Sequence, residues 1–172
     1  MNANYWIHKL DLLKHPEGGY YKEIYRSDEV IAKDVLPDRY TAERNFSTSI
    51  YFLLAKEQVS RFHKLQSDEI WHFYYGTSLT IYMIDEKGKY AEQKLGRNLD
   101  EGEVLQFVIP KHTWFAAEVN NKSSFSLIGC TVAPGFDFVD FELAKREELV
   151  KQFPVLKKII ERFTKRDGNT DY

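Results

Sequence analysis

The sequence has one cysteine, no excess of positive charge and no long hydrophobic run. Its 172 residues include one cysteine, Cys130, so a disulfide within the chain is excluded and a cysteine-based zinc site is a poor expectation. The formal net charge is −2, which leaves no excess of positive charge to neutralise a nucleic-acid backbone. No apolar run approaches the roughly 18 residues of a membrane span, and the N-terminus has no apolar stretch typical of a secretion signal. These absences predict a cytoplasmic protein that binds neither nucleic acid nor membrane.

Aromatic side chains, in contrast, are abundant and make up 15% of the residues. Such a composition favours strands and a pocket wall over a helical bundle. The length is that of one domain, so we treat residues 1–172 as a single unit.

Short segments with strand-like patterns follow one another closely between about residues 20 and 133, the expected barrel core. The predicted strands cover residues 20–26, 47–54, 59–65, 69–75, 79–84, 90–95, 104–109, 113–119 and 124–132. Turn signals such as Asp85-Glu86-Lys87-Gly88 separate them. Closely spaced short strands with regular turns are typical of an all-β sandwich or barrel.

Helical patterns flank this core on both sides. Trp6, Leu10 and Leu13 have helical spacing near the N-terminus. Two helices are predicted over about residues 138–165, with Pro154 in the first turn of the second. Residues 28–46 are polar and irregular, and are expected to form a surface loop.

The segment from Ser60 to Gly76 carries the clearest chemical signal. A strand bearing His63 is followed by a turn, and the next strand opens with Glu69. A histidine and a glutamate at the facing ends of a hairpin can point into one cavity, where they are able to bind a metal or transfer a proton. Arg61 lies on the same strand face as His63 and is a possible partner for the Glu69 carboxylate.

This segment resembles the first motif of the cupin superfamily, which reads Gly, His-x-His, three or four residues, Glu, six residues and Gly. His63, Glu69 and Gly76 match that motif, whereas Leu65 stands where the second histidine belongs.

The second cupin motif, Gly-Asp followed by Pro-x-Gly-x-x-His, is matched less fully. Gly102-Glu103 and Pro110 correspond to its first residues. His112 replaces the usual glycine, and Phe115 replaces the usual metal-binding histidine.

Three longer phrases resemble a small cupin family catalogued as a domain of unknown function. They cover residues 15–27, 68–76 and 129–143. The likeness extends over about residues 10–145. It implies an all-β fold, the double-stranded β-helix or cupin jelly-roll barrel, here with a short N-terminal helix and two C-terminal helices. It also implies a protein that is often dimeric, and it implies no settled reaction.

The resemblance implies a metal held by three histidines and one glutamate, of which only His63 and Glu69 remain. We therefore expect no metal cofactor, and at most a divalent metal held weakly by these two residues. His72 is not expected to replace a ligand, because it lies three residues after Glu69 and points to the opposite strand face.

The inner wall of such a barrel is also the wall of its pocket. The strand period places these candidate ligand-binding residues on that wall: Arg61, His63, Glu69, Trp71, Phe73 and Tyr75. His63 and Glu69 are also the candidate catalytic residues. Trp114 and Phe115 point to opposite faces, and the pattern leaves open which of them is inside.

Three functions fit these residues. The first is binding of a small polar metabolite, sugar-like or nucleotide-like, in the barrel. The second is a metal-independent sugar or sugar-nucleotide isomerase or epimerase, with His63 as the base and Tyr51 or Tyr75 as candidate acids. The third is a metal-dependent oxygenase or isomerase with a reduced ligand set.

A homodimer is expected, with residues 20–26 adding to a neighbouring chain.

Overall fold

Two large β-sheets dominate the computed structural model, which describes residues 1–165. The helices and strands are α1 (Ala3–Lys9), β1 (Leu13–Lys14), β2 (Tyr20–Arg26), β3 (Val30–Ile31), β4 (Arg44–Asn45), β5 (Thr48–Ala55), β6 (Val59–Lys64), β7 (Asp68–Gly76), β8 (Leu79–Ile84), β9 (Tyr90–Leu95), β10 (Gln106–Ile109), β11 (Trp114–Val119), β12 (Phe125–Ala133), β13 (Glu142–Leu143), α2 (Arg146–Gln152) and α3 (Lys157–Arg162). Single 3-10 turns lie at Lys33–Val35, Leu99–Glu101, Phe138–Asp140 and Pro154–Leu156.

The two large sheets enclose the main apolar core. One sheet has the strand order β1-β2-β5-β12-β7-β10, and the other has the order β13-β6-β11-β8-β9. Trp71 and Ile128 from the first sheet share one core cluster with Ile81 and Phe115 from the second. Alternate side chains point to opposite faces of a strand, so each sheet contributes one apolar face to this core. The arrangement is the predicted jelly-roll fold.

The helices cover the outer faces of the two sheets. Trp6 of α1 packs on the outer face of the six-stranded sheet. Leu149 and Ile160 of the C-terminal helices pack against Trp114 on the outer face of the five-stranded sheet. Phe115 therefore faces the inside of the barrel and Trp114 faces the helices. Within residues 1–165, no helix is long and apolar enough to cross a membrane.

The predicted strands agree with the observed ones to within two residues at each end, and 20–26, 79–84 and 90–95 agree at both ends. Residues 28–46 differ from the prediction of a plain loop, since they contain β3 and β4, which pair with each other, and a 3-10 turn. This small sheet holds Arg44 in a buried position that matters for the site described below.

Candidate functional site

A cavity of about 290 Å³ lies among β2, β5, β6, β7 and β12 and the segment after β12. Its aromatic wall is formed by Tyr21, Phe52, Trp71, Phe136, Phe138 and Phe141. Its ionisable residues are His15, Glu17, Glu23, Arg26, His63 and Glu69. Phe138 is 52% exposed, so the cavity reaches the protein surface there.

Glu17 occupies the centre of the polar part of this cavity. Ser60 Oγ donates a hydrogen bond to Glu17 Oε1 at 2.8 Å, and His63 Nε2 lies 3.1 Å from Glu17 Oε2. Glu17 is only 5% exposed. Burial, and then the neighbouring carboxyl of Glu69, raise the pKa of Glu17 well above its usual range. A buried carboxyl without a cation in contact favours its protonated form.

The turn between β1 and β2 places Glu17 against β6. The Arg61 N–H donates a hydrogen bond to the Glu17 carbonyl oxygen at 2.9 Å. Gly18 has φ 116°, and a Cβ atom there would lie 2.1 Å from the carbonyl oxygen of Val59. Only glycine fits this close approach of two backbones, so the turn depends on Gly18.

His63 is held in one tautomer by its hydrogen bond to the backbone. Nδ1 lies 2.7 Å from the backbone oxygen of Arg61, and a carbonyl oxygen only accepts, so Nδ1 carries a hydrogen. Nε2 of neutral His63 is therefore an acceptor, and it lies 3.1 Å from the Glu17 carboxyl, which burial keeps protonated. Burial lowers the pKa of His63 to about 3, which favours this neutral form. The distance of 3.1 Å between Glu17 Oε2 and His63 Nε2 would allow one proton to lie between them.

His15 is also held neutral. The Glu17 backbone N–H donates to Nδ1 of His15 at 3.3 Å, so this nitrogen is an acceptor. Burial, and secondarily the nearby positive charge of Arg61, lower the pKa of His15 to about 4. The distance of 3.5 Å between His15 Nδ1 and Glu17 Oε2 is therefore not an ion pair near neutral pH.

Glu69 is a second buried carboxyl group in the cavity, 8% exposed. Burial raises its pKa to about 7, and the neighbouring Trp71 indole and Cys130 thiol partly offset the rise. The Trp71 Nε1 atom is buried and makes no hydrogen bond of ordinary geometry. Burial raises the pKa of Cys130 well above its usual range, so its thiol stays protonated and unreactive.

Three of the six predicted ligand-binding residues line this cavity, namely His63, Glu69 and Trp71. Arg61 does not, because the pairing of β6 with β11 shifts by one residue between Ser60 and His63, so that Arg61 does not share a face with His63. Its guanidinium donates to the carbonyl oxygen of Pro16, and it lines a separate surface groove. The expected pairing of Arg61 with Glu69 is absent, and the partner of His63 is Glu17.

Phe73 and Tyr75 also lie away from the cavity. The pairing of β7 with β12 shifts by one residue, so that Phe73 is opposite Ile128 and Tyr75 is opposite Leu127. The extra residue, Tyr74, reverses the alternation of side chains. Phe73 therefore packs on the inner core, whereas Tyr75 contacts Trp6 at 5.3 Å on the outer face.

The side chains do not fit the metal site of a cupin barrel. Both nitrogens of His63 are engaged, Leu65 is apolar, and the Phe115 ring centroid lies 4.0 Å from that of His63. Among the residues that the structure describes, no three His, Cys, Asp or Glu side chains come together in a way that could hold a metal ion. His72 lies on the outer face, where it contacts Thr131 and Gln106.

The sequence patterns missed His15 and Glu17 as site residues. Both precede the barrel and belong to a turn, so no strand period points them at the cavity. The available signals were the family phrase at residues 15–27, which contains both residues, and the pair Gly18-Gly19, which permits close approach to a neighbouring backbone. Neither signal says which side chain is carried inward.

Comparisons with known proteins agree with this architecture. Residues 4–144 match the family model described as "Cupin superfamily (DUF985)". The uncharacterized protein YML079W of Saccharomyces cerevisiae is 33% identical over 154 residues, covering 84% of this chain and 76% of the yeast protein.

Solved structures give the same result. Protein SO0799 from Shewanella oneidensis superposes with a TM-score of 0.87 at 41% identity, covering 97% of this chain and 99% of that one. A hypothetical protein from Leishmania major also has a TM-score of 0.87, at 31% identity, covering 95% and 99%. Oxalate decarboxylase from Bacillus subtilis, at 17% identity and a TM-score of 0.54, covers 90% of this chain and 37% of its own, and shares the fold alone. The jelly-roll sheets, the partial His63–Glu69 motif and the family match lead to one conclusion: the chain belongs to the cupin superfamily, in its DUF985 family.

Proposed function

We propose that this cupin is a cytoplasmic protein that binds a small metabolite in the barrel cavity. The observation that carries the proposal is the combination of buried polar groups and an aromatic wall in one cavity open to the surface. Ligand sites are mostly apolar, with a few polar groups that fix orientation, and their volumes begin near 300 Å³. The volume of about 290 Å³ is at the small end of that range.

Two polar groups of the cavity are candidates for hydrogen bonds with a ligand. Trp71 Nε1 is a buried donor that makes no hydrogen bond of ordinary geometry. The Glu69 carboxyl has this indole and the Cys130 thiol as neighbours, and among the described residues it forms no ion pair. Leaving a buried polar group unpaired costs about 1–3 kcal/mol. A ligand that hydrogen-bonds to both would recover part of this cost. Compounds with a flat or apolar portion and a hydrogen-bonding end, such as sugars and nucleosides, meet the requirement.

The binding proposal is tested by nuclear magnetic resonance with mixtures of small metabolites. We expect a true ligand to shift the indole N–H signal of Trp71, which a Trp71→Phe variant identifies. The signal of Trp114, on the outer face of the other sheet, serves as the internal reference. Glu69→Gln should weaken binding, whereas the exposed Glu57→Gln should not. If no compound shifts the Trp71 signal, the proposal is wrong.

A second candidate function, a metal-independent isomerase or epimerase, is favoured by the proton shared between Glu17 and His63. The roles differ from those expected from the sequence. His63 Nδ1 is hydrogen-bonded and Nε2 lies 3.1 Å from Glu17, so the Glu17–His63 pair would act as the base, and His63 would not act alone. Tyr51 and Tyr75 lie on the outer face, whereas Tyr21 lines the cavity.

The isomerase is distinguished from a pure binder by proton exchange in heavy water. A ketosugar substrate should take up deuterium next to its carbonyl group in the presence of the wild-type protein. Glu17→Gln should abolish this uptake. Binding without exchange would leave the binding proposal intact and remove the isomerase.

A further inference from the structure

Three phenylalanine rings form a corner at the mouth of the cavity. Phe136 and Phe138 have ring centroids 5.0 Å apart at an interplanar angle of 81°. Phe141 lies 6.4 Å from Phe136 at 69° and 6.3 Å from Phe138 at 74°. All three rings line the cavity and pack edge to face, as aromatic clusters do, with His15 stacked 6.4 Å from Phe138. We refer to the three rings as the aromatic cage, because the negative face of such a ring attracts an organic cation that enters the cavity.

The same cavity holds acidic groups and little available positive charge. His63 lies 5.2 Å from Phe141, and Glu17 is hydrogen-bonded to His63, so the acid pair adjoins the cage. Glu69 is a further buried acid. Burial lowers the pKa of both histidines, so neither contributes a positive charge near neutral pH.

Arg26 lines the cavity, but Glu23 already engages it. Arg26 Nη2 and Nε lie 2.7 and 2.9 Å from the two carboxylate oxygens of Glu23. A two-point ion pair of this kind satisfies the guanidinium and makes it a poor partner for a second anion. Phosphate and carboxylate ligands therefore lack a free cation here.

We propose that the metabolite is a small organic ammonium ion, with its alkylated nitrogen against the Phe136–Phe138–Phe141 rings and its charge balanced by the Glu69 carboxylate. This inference rests on the binding function proposed above and narrows its ligand class. Glu69 gives up its proton to solvent as the cation enters, because an ammonium ion stabilises the ionised carboxyl. Binding of the cation and loss of one proton are therefore linked.

The test uses three compounds of nearly the same shape and different charge. Choline is the cation, 3,3-dimethylbutan-1-ol is its neutral isostere, and 3,3-dimethylbutanoate is the anion. Dissociation constants are measured by titration calorimetry, with the Trp71 indole signal as a second readout. We expect choline to bind about tenfold or more tightly than the alcohol, and the anion to bind least.

Binding of choline should also tighten as pH rises from 6 to 8. Choline keeps its charge over this range, so the change reports on the protein alone. The free carboxyl of Glu69 has a pKa of about 7, so at pH 6 most of it must first lose a proton. The titratable and charged groups that share the cavity with it are Glu17, His63, His15, Cys130, Tyr21, Glu23 and Arg26. Calorimetry in two buffers of different ionisation enthalpy should detect proton release with choline and none with the alcohol.

Two variants distinguish the contribution of the aromatic rings to choline binding from that of the Glu69 carboxylate. Glu69→Gln should remove the preference for choline over the alcohol while the alcohol still binds, and Phe138→Leu should weaken choline more than the alcohol. The matched controls are Glu57→Gln and Phe46→Leu, which change exposed residues outside the cavity.

Equal affinity for choline and the alcohol, or a choline preference that survives in Glu69→Gln, would overturn the ammonium inference and leave the binding function standing. If none of the three compounds binds, the ammonium inference is also wrong. The metabolite screen that follows the Trp71 indole signal then tests the binding function independently.

Discussion

At the scale of single residues, the site is built around a proton that two side chains share. The Arg61 carbonyl oxygen can only accept a hydrogen bond, so Nδ1 of His63 carries the hydrogen. In neutral His63, Nε2 is then an acceptor. Glu17 supplies the proton at 3.1 Å. The folded pair therefore holds one proton over a wide pH range, whereas an unfolded glutamate and histidine titrate independently.

This pairing predicts how stability depends on pH. The pKa of Glu17 is raised in the folded state above its value of 4.5, so the folded protein keeps a proton that the unfolded chain loses. Wild-type stability should therefore fall relative to Glu17→Gln as pH rises above about 5, and continue to fall up to the folded pKa. The loss should reach about 1.4 kcal/mol per pH unit, the value for one proton. Urea unfolding at pH 5, 6, 7 and 8 measures it.

The control for this experiment is Glu57→Gln, which removes an exposed carboxylate. Its stability should run parallel to that of the wild type across the same pH series. Parallel curves for Glu17→Gln and wild type would show that Glu17 is ionised in the folded protein, contrary to the prediction.

The sequence predicts part of this site, and the limit has a physical cause. His63 and Glu69 were found because they lie on strands, where spacing indicates the face to which a side chain points. Their strands β6 and β7 belong to different sheets, so the expected hairpin pairing between them was wrong, and the two residues meet because both sheets face one core. Glu17 lies in a turn, and a turn places its side chains through long-range contacts that spacing does not encode. Glu17 lies next to His63 for the same reason, and the register shift in β6 that turns Arg61 away is likewise a feature of long-range strand pairing.

At the scale of elements, irregularities decide which aromatic residues form the cavity. Strand β7 was predicted to point Trp71, Phe73 and Tyr75 to one face. The extra residue Tyr74 breaks the alternation, and a bulge of this kind leaves no reliable mark in a run of aromatic residues. The aromatic wall comes instead partly from the segment 136–141, which lies beyond the predicted barrel core.

That segment is fastened to the small β3–β4 sheet by a buried ion pair. Arg44 Nε and Nη2 each lie 2.6 Å from one carboxylate oxygen of Asp140, and the two residues are 3% and 6% exposed. The Gly135 N–H also donates to the Asn45 carbonyl oxygen at 2.7 Å. These contacts position Phe136, which lies within the segment.

We therefore predict that Asp140→Ala destabilises the protein by about 3–5 kcal/mol, because it leaves the Arg44 guanidinium buried without its partner. Arg44→Ala should have a similar cost, and the double variant should cost less than the sum of the two. Chemical denaturation measures all three. Glu148→Ala is the control, because its ion pair with Lys145 is exposed and should contribute less than about 1 kcal/mol. A cost for Asp140→Ala as small as that of the control would contradict the prediction.

At the scale of the whole molecule, the fold was predictable because strand period, turn signals and family resemblance all pointed to the same architecture. Strands such as 79–84 are bounded by clear turns, and their ends agree with the structure. Pairing between strands that are distant in the sequence was harder to predict. The sequence does not show that β2 lies between β1 and β5, because such contacts depend on how the whole chain closes.

The position of β2 bears on the homodimer expected from the sequence. β1 pairs only with Tyr20 and Tyr21, so within residues 1–165 no strand pairs with the rest of β2 on the side away from β5. Ile24 and Tyr25 on this stretch are 46% and 54% exposed. A register shift between Glu23 and Tyr25 interrupts regular strand addition there, so we expect the contact between two chains to involve mainly side chains.

We predict that the protein is a dimer at micromolar concentration and that Ile24→Lys shifts it toward monomer. A lysine at this position would place its charge in the contact and would oppose its own copy across a two-fold axis. Val155→Lys is the matched control, since Val155 is also β-branched and is 92% exposed on the C-terminal 3-10 turn. Size-exclusion chromatography with light scattering should give the mass of two chains for wild type and Val155→Lys, and a lower mass for Ile24→Lys. A wild-type mass of one chain would refute the dimer, and a dimer unaffected by Ile24→Lys would move the interface to another surface.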